Sequence, residues 1–435
     1  MAAAHLRPSA HGLVERRARE RALILLRGHG PFRRLLAPGD VTALRLLGPA
    51  STFRHWSGIG GAYKSVFLMG VTSLRRTVTW AEVFDVDPAH ALPNRTWWWW
   101  WFIFFFRNED DPTRTKQMVL LWGTRNCRAL VINDHAWRRD ADLRRTPVSV
   151  DCQGMAAGWY YDGTTMHDPL FVDDGPLHAE HNGGGRLSVE SGNAYTFDAT
   201  KTPNRVSVRR PGIDIELEVS PWTEYLSQVV PTGKTYLYHL GYRMHKIRGS
   251  RVRGSVRLGG GVENVEGTTY FQKVRINSPT SPWYWGVFHA PDGSYLDYFL
   301  PHLGPPALRR TPAHASPFDW GELHLSRSFQ FYEATTGKMH KIKGVRVTKR
   351  YVGDLPVFRL EGSREGKSVQ LEMTSYARAY WEIRQPILGP FTNVLYYNEY
   401  PANVTAFEFR DRGRRVTLDD LGPTVGNCEH AWGLV

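Results

Sequence analysis

Trp97-Trp98-Trp99-Trp100-Trp101-Phe102-Ile103-Phe104-Phe105-Phe106 is the stretch whose reading decides the fold. Its length is about half of what a helix needs to cross a bilayer, and it offers no polar face to a helix. In a strand, successive side chains point to opposite sides, so this segment presents large rings on both. One side is expected to fill a core while the other lines a ligand cavity or packs on a second sheet. A strand simply buried on both faces accounts for the letters equally well.

Outward from this run, from about Phe53 onward, nearly every segment is a short set of β-branched and aromatic residues bounded by Gly, Pro, Asn or Asp, the pattern of strands and turns. Residues 117–123, 128–132, 213–219, 251–258, 284–289, 295–300, 368–374, 394–397 and 406–410 read as strands. Pro291-Asp292-Gly293 reads as a hairpin turn in which Gly supplies a positive φ. Long helical periodicity is absent. Ile215-Glu216-Leu217-Glu218-Val219-Ser220 and Val369-Gln370-Leu371-Glu372-Met373-Thr374 share an apolar/polar alternation, which suggests a duplicated β unit. The fold expected is all-β and mainly antiparallel, with an Arg-rich leader over 1–50, a first β-barrel over 51–262 and a second over 263–435. Barrel closure would remove the exposed edges that so many strands otherwise present.

Of 435 residues, 55 are Lys or Arg and 42 are Asp or Glu, a formal charge of +13. A basic surface favours anionic partners, but residues 1–40 alone hold eight Arg. Basic residues and rings are also not interleaved as a nucleic-acid-binding sheet displays them, so no nucleic-acid partner is expected. The leader is expected to fray, offering at most a peripheral contact to an anionic membrane. It lacks the apolar core of a secretory signal. Cys127, Cys152 and Cys428 make neither a zinc-ligand pair nor an even disulfide set; the expected compartment is the cytoplasm. His178-Ala179-Glu180-His181, with His167 and Asp168 upstream, contains ligand-type residues but lacks the helical spacing that puts two His on one face. Neither a metal nor a cofactor is expected, and no phosphate loop, dinucleotide fingerprint or nucleophile elbow is present.

Gly267-Thr268-Thr269-Tyr270-Phe271-Gln272-Lys273, followed by Ser281-Pro282-Trp283-Tyr284-Trp285-Gly286-Val287-Phe288-His289 and Asp292-Gly293-Ser294-Tyr295-Leu296, resembles the middle of the carotenoid 1,2-hydratase (hydroxyneurosporene synthase) and AttH-like family. The closing segments Ala379-Tyr380-Trp381-Glu382, Ile387-Leu388-Gly389-Pro390 and Val394-Leu395-Tyr396-Tyr397-Asn398-Glu399-Tyr400 are similar to that family's last strands. The resemblance implies two consecutive lipocalin-like β-barrels. It also implies acid-initiated chemistry, shared with relatives such as tocopherol cyclases and pericyclase-type enzymes. In that chemistry a carboxylic acid in apolar surroundings protonates an alkene, and water or an internal nucleophile captures the cation. Burial suits such an acid because desolvation keeps it protonated, and aromatic faces stabilise the cation.

The sequence departs from the family at one place. The hydratases carry a Tyr-His-Asp-His-type run after the glycine, whereas here Tyr270 is followed by Phe271, Gln272 and Lys273. Gln has no titratable proton, so the acid has to come from elsewhere. Glu266 and Glu399, together with Tyr270, are the catalytic candidates, with Asp297 and Glu382 as further carboxylates. Gln272, Trp283, Trp285, His289, Trp381, Glu382 and Tyr397 are candidates to line a ligand pocket between or inside the barrels. Each has a competing reading, surface placement for the carboxylates and plain packing for the rings. The function expected is a cofactor-independent hydratase, cyclase or isomerase acting on a hydrophobic isoprenoid, polyene or related natural product. The alternative is a non-catalytic protein of the same fold that binds a lipid or isoprenoid.

Overall fold

A computed structural model describes residues 78–434 apart from 140–141, 182–184, 191, 236–239, 278–281, 304–322 and 389–390. The Arg-rich leader lies outside the described residues.

Ten strands form a closed barrel in which spatial order follows chain order. They are Thr96–Phe106, Lys116–Arg125, Ser149–Tyr161, Met166–Glu180, Arg186–Glu190, Ala194–Asp198, Asn204–Arg210, Ile213–Pro221, Gly241–Leu258 and Gly261–Asn277. Each pairs antiparallel with the next, and the last returns to the first, with Trp101 opposite Gln272. Closure of this up-and-down meander removes the edges that its ten strands would otherwise present, and Val229–Thr235 adds onto Gly241–Leu258 beside Ile213–Pro221. Its closing pair needs a glycine, because a Cβ on Gly267 would stand 2.0 Å from the Phe105 carbonyl oxygen.

A second antiparallel sheet repeats the meander. Its nine-strand path runs through Trp283–His289, Tyr295–Leu303, Ser328–Glu333, Lys338–Lys343, Arg346–Val352, Leu355–Arg364, Lys367–Ser375, Phe391–Asp411 and Val425–Leu434. Its first and last strands again pair, Trp285 opposite Glu429. Among the described residues, Lys338–Lys343 and Arg346–Val352 do not pair, so this barrel has one open seam. The passage between sheets falls between Asn277 and Trp283, and the division at 262/263 read from the sequence lies inside a strand of the first barrel. Ala129–Ile132 and His135–Arg138 leave the first barrel to pair onto the second sheet at Ile383 and Arg384. Among the described residues, no helix is long and apolar enough to cross a membrane.

The Trp97–Phe106 run feeds two cores at once. Trp98, Trp100, Phe102, Phe104 and Phe106 point into the first barrel, with Trp122, Tyr195, Phe197 and Phe271. Trp97, Trp101, Ile103 and Phe105 face outward into a core shared with Trp285, Val287, Trp381 and Leu395 of the second barrel. A short helix, Trp80–Phe84, is capped by Thr79 and Glu82 and packs Trp80 and Phe84 on Phe197. The second barrel's interior is filled by Tyr284, Phe288, Tyr298, Phe331, Phe358 and Phe409, among others. The expectation of an apolar hollow inside the barrels is therefore corrected. Inward positions carry rings wide enough to meet one another, such as Phe102 and Phe197 with centroids 4.8 Å apart, and so they fill the space they enclose.

Trp100 is fully buried and donates its indole N–H to the Val83 carbonyl at 2.7 Å, pinning the helix to the barrel. Trp100→Ala removes both the ring and that bond and is expected to cost about 3–5 kcal/mol, read as a shift in the urea unfolding midpoint.

Candidate active site

Cross-strand register places carboxylates and rings on the face of the second barrel that meets the first. Trp283, Ala431, Tyr397 and Trp381 stand side by side on four neighbouring strands, and the adjacent row is Trp285, Glu429, Glu399 and Ala379. Directly opposed side chains on one sheet face have Cβ atoms about 4.5–5.5 Å apart, so Glu399 and Glu429 are forced together. Glu399 is 1% exposed and Glu429 4%.

Tyr397 donates its hydroxyl to Glu399 Oε1 at 2.5 Å and also lies against Glu429. The Trp283 indole also lies against Glu429. The other oxygen of Glu399, Oε2, has no hydrogen-bond partner. A third carboxyl arrives from the first barrel. The pairing of Ser149–Tyr161 with Met166–Glu180 shifts register between Gly158 and Tyr160, and across that irregularity Asp168 accepts the Tyr380 amide N–H and the Trp381 indole N–H, the latter at 3.1 Å. Trp381 in turn stacks on Tyr397, with centroids 5.8 Å apart.

Burial dominates the electrostatics of this cluster. It pushes Glu399 well above the usual carboxylate range, helped by the neighbouring charges of Glu429 and Asp168 and opposed by the Tyr397 hydroxyl. Burial likewise pushes Glu429 up to about 7, with Tyr397 and Trp283 pulling it back. Asp168 is raised to about 6 by burial, against the Tyr380 amide, the Trp381 indole and Arg378. Two adjacent carboxylates cannot both ionise cheaply in such a place, so near neutral pH the Glu399–Glu429 pair retains a proton as a unit.

The other residues proposed from the sequence fall into separate places. Trp285 packs edge-on to Trp101 at 5.2 Å and lies 5.4 Å from Tyr270, continuing the aromatic wall toward the first barrel. Tyr270 is buried and donates to Gln272 Oε1 at 2.5 Å. Asp297 is buried against Lys246 and accepts the Tyr295 hydroxyl at 2.8 Å, so it is held in an ion pair. His289 has both ring nitrogens engaged, Nε2 donating to the Arg248 carbonyl and Nδ1 bonded to the Thr268 hydroxyl, each at 2.8 Å. Burial pushes it down to about 4, which keeps it neutral. Glu382 points to the opposite strand face from Trp381, where it meets Tyr380 and Arg384. Glu266 is exposed and ion-paired with Arg107, outside the apolar interface.

Glu429 and Asp168 were not among the residues the sequence put forward as acids. The alternation of Val425, Asn427, Glu429 and Ala431 on one face of the last strand is the signal that would have found Glu429. His178 pairs with Asp151 and His167 with Asp162. Among the described residues no three His, Cys, Asp or Glu side chains converge as metal ligands.

No protein-family model matches the chain, and no curated protein sequence matches it. Among solved structures it is similar to a provisionally named AttH from Nitrosomonas europaea, with a TM-score of 0.43 and 12% identity over 84% of this chain and 100% of that one. It is also similar to kievitone hydratase from Nectria haematococca, with a TM-score of 0.36 and 11% identity over 82% of this chain and 95% of that one.

The raised carboxyls make stability depend on pH with a definite sign. A carboxyl whose folded value lies above its unfolded one binds more protons when folded, so its contribution is fully present below the unfolded value and is lost as pH rises through the folded one. For the Glu399–Glu429 pair the loss begins above the unfolded value of 4.5 and continues through about 7. Glu429→Gln is expected to flatten the fall in thermal unfolding temperature between pH 5 and pH 8 and to leave the variant more stable than the native chain at the upper end.

Proposed function

We propose that this chain is a hydratase-type enzyme whose Brønsted acid is the Glu399–Glu429 pair, acting on the alkene of an isoprenoid, polyene or related apolar compound at the inter-barrel wall. The observation that carries this reading is the pair itself, two buried carboxyls on adjacent strands bridged by one tyrosine hydroxyl and faced by aromatic rings. Carboxylates placed for stability alone find cations, as Asp297 does with Lys246; these two find each other.

Water is the one co-reactant, and the acid is regenerated. The carboxylic acid proton passes to one alkene carbon as the π pair forms the new C–H bond, leaving a carboxylate and a carbocation. Water adds to the cation and returns its surplus proton to the carboxylate, giving the alcohol; loss of a neighbouring C–H proton to the same carboxylate gives the isomer. Trp283, Trp381 and Tyr397 present ring faces where the cation forms, an electrostatic stabilisation that grows when water is excluded. Tyr397 links the two carboxyls and so can pass a proton between them.

Glu399→Gln and Glu429→Gln are each expected to lower turnover by about 10²–10⁴-fold, while Glu266→Gln leaves it within twofold. The assay is conversion of a panel of polyenes and isoprenoids in D₂O, with mass spectrometry reporting one solvent deuterium on carbon per turnover. Full turnover in both Glu399→Gln and Glu429→Gln overturns the assignment.

The pH dependence is one-sided at neutral and alkaline pH, since the reaction needs the protonated acid. The rate is expected to fall by about tenfold per pH unit above the value near 7 set by Glu429. A rate that rises through the same range contradicts acid initiation.

A further inference from the structure

Arg125 is 1% exposed, yet no carboxylate faces it. Its guanidinium lies over the face of Trp97, with Cζ 3.9 Å from the ring centroid, and Nη2 donates to the Asn94 carbonyl at 3.0 Å. Nε and Nη1 have no hydrogen-bond partner, and neither has the indole Nε1 of Trp97. The titratable groups nearest to Arg125 are Arg95 and the Cys127 thiol, which burial keeps protonated, and burial lowers the guanidinium to about 9. Stacking on an indole offsets part of the cost of burying a guanidinium. It does nothing for unpartnered N–H groups, and these are all donors. A buried cation surrounded by free donors matches a ligand that brings negative charge and acceptor oxygens together.

The place of Arg125 gives that anion a relation to the acid cluster. Gln385 of the second barrel, 3% exposed, donates to the same Asn94 carbonyl as Arg125 does. Gln385 shares its strand, and by alternation its face, with Ile383, Trp381 and Ala379, and Ala379 is the cross-strand neighbour of Glu399. Four to six residues of strand separate the two ends, roughly 13–20 Å. Trp97, Ile383 and Leu395, all buried in the shared core, lie along this stretch, with half-buried Trp99 beside Trp97.

We infer that Arg125 and Trp97 hold the carboxylate or phosphate head of an amphipathic ligand whose apolar chain runs along the inter-barrel wall toward Glu399. The inference rests on the function proposed above for the identity of the reacting end. It narrows the substrate class from an apolar alkene to an unsaturated chain with an anionic terminus.

The test measures binding without turnover. Decanoate, decyl phosphate and decanol are titrated against the full chain by calorimetry, alongside acetate and inorganic phosphate. Decanoate and decyl phosphate are expected to bind at least tenfold more tightly than decanol, acetate or inorganic phosphate. Arg125→Gln is expected to bind decanoate, decyl phosphate and decanol alike. Trp97→Phe, which keeps the stack and removes the indole N–H, is expected to weaken the anion preference about threefold, and it serves if circular dichroism shows Arg125→Gln to be unfolded. Equal affinity of the native chain for the three ten-carbon compounds, a preference retained in Arg125→Gln, or acetate binding as tightly as decanoate overturns the inference. A chain that prefers the anions but is unaffected in turnover by Glu399→Gln and Glu429→Gln would refute the acid assignment and leave the anion site standing.

Discussion

The structure depends on one strand being buried on both faces. Thr96–Phe106 is the seam at which the first barrel closes, held between Lys116–Arg125 on one side and Gly261–Asn277 on the other. Its even-numbered rings complete the barrel's interior, and its odd-numbered ones form an apolar outer wall. An outer wall of that size cannot face water without a large cost, and the second barrel covers it. Everything ionisable that the two barrels carry into this contact is thereby desolvated, which makes charge the quantity that the interface has to manage.

Three arrangements along the same interface manage it differently. Lys246 and Asp297 pair with each other and take a tyrosine hydroxyl as well. Glu399 and Glu429 have no cation, and the pair keeps a proton. Arg125 has no anion and rests on an indole. The first arrangement is how a fold neutralises buried charge when nothing else is required of it. The other two leave chemistry unspent, a transferable proton in one case and empty donors in the other, and strongly shifted groups of this kind concentrate where ligands act.

The sequence disclosed the β class because alternation and turn residues are local signals, while the two-barrel plan came from the family resemblance. Where a local signal conflicted with the tertiary answer, it misled. Residues 394–397 and 406–410 read as separate strands, whereas Phe391–Asp411 is one strand that runs through Pro401; the partner strand Val425–Leu434 continues alongside in unbroken register. Glu399 was legible because its segment resembles the last strands of the hydratase family, but its meaning depends on Glu429, thirty residues away and joined to it only by register. Glu266 looked attractive through its closeness in sequence to Tyr270. It sits one same-face step beyond Thr268, whose hydroxyl still meets His289, and there the second barrel no longer covers the wall. Asp168 reaches the cluster through an irregular pairing that no propensity encodes.

A sealed acid poses a question of access that the packing itself answers in part. Glu399 and Glu429 owe their raised values to exclusion of water, so a permanently open, hydrated cleft would return them to ordinary carboxylates and strip, at neutral pH, the proton that the proposed reaction needs. The cluster is accordingly closed except at its rim, where Trp283 and Tyr397 are only half-buried. A guest that replaces those rim contacts with its own apolar surface keeps the carboxyls dry while it enters, whereas a polar guest brings water in and lets them ionise. On the proposed function, a preference for hydrophobic ligands follows from the acid's own electrostatics, before any shape of pocket is considered, and the same dryness would strengthen the inferred Arg125 contact to an anionic head at the far end of the wall.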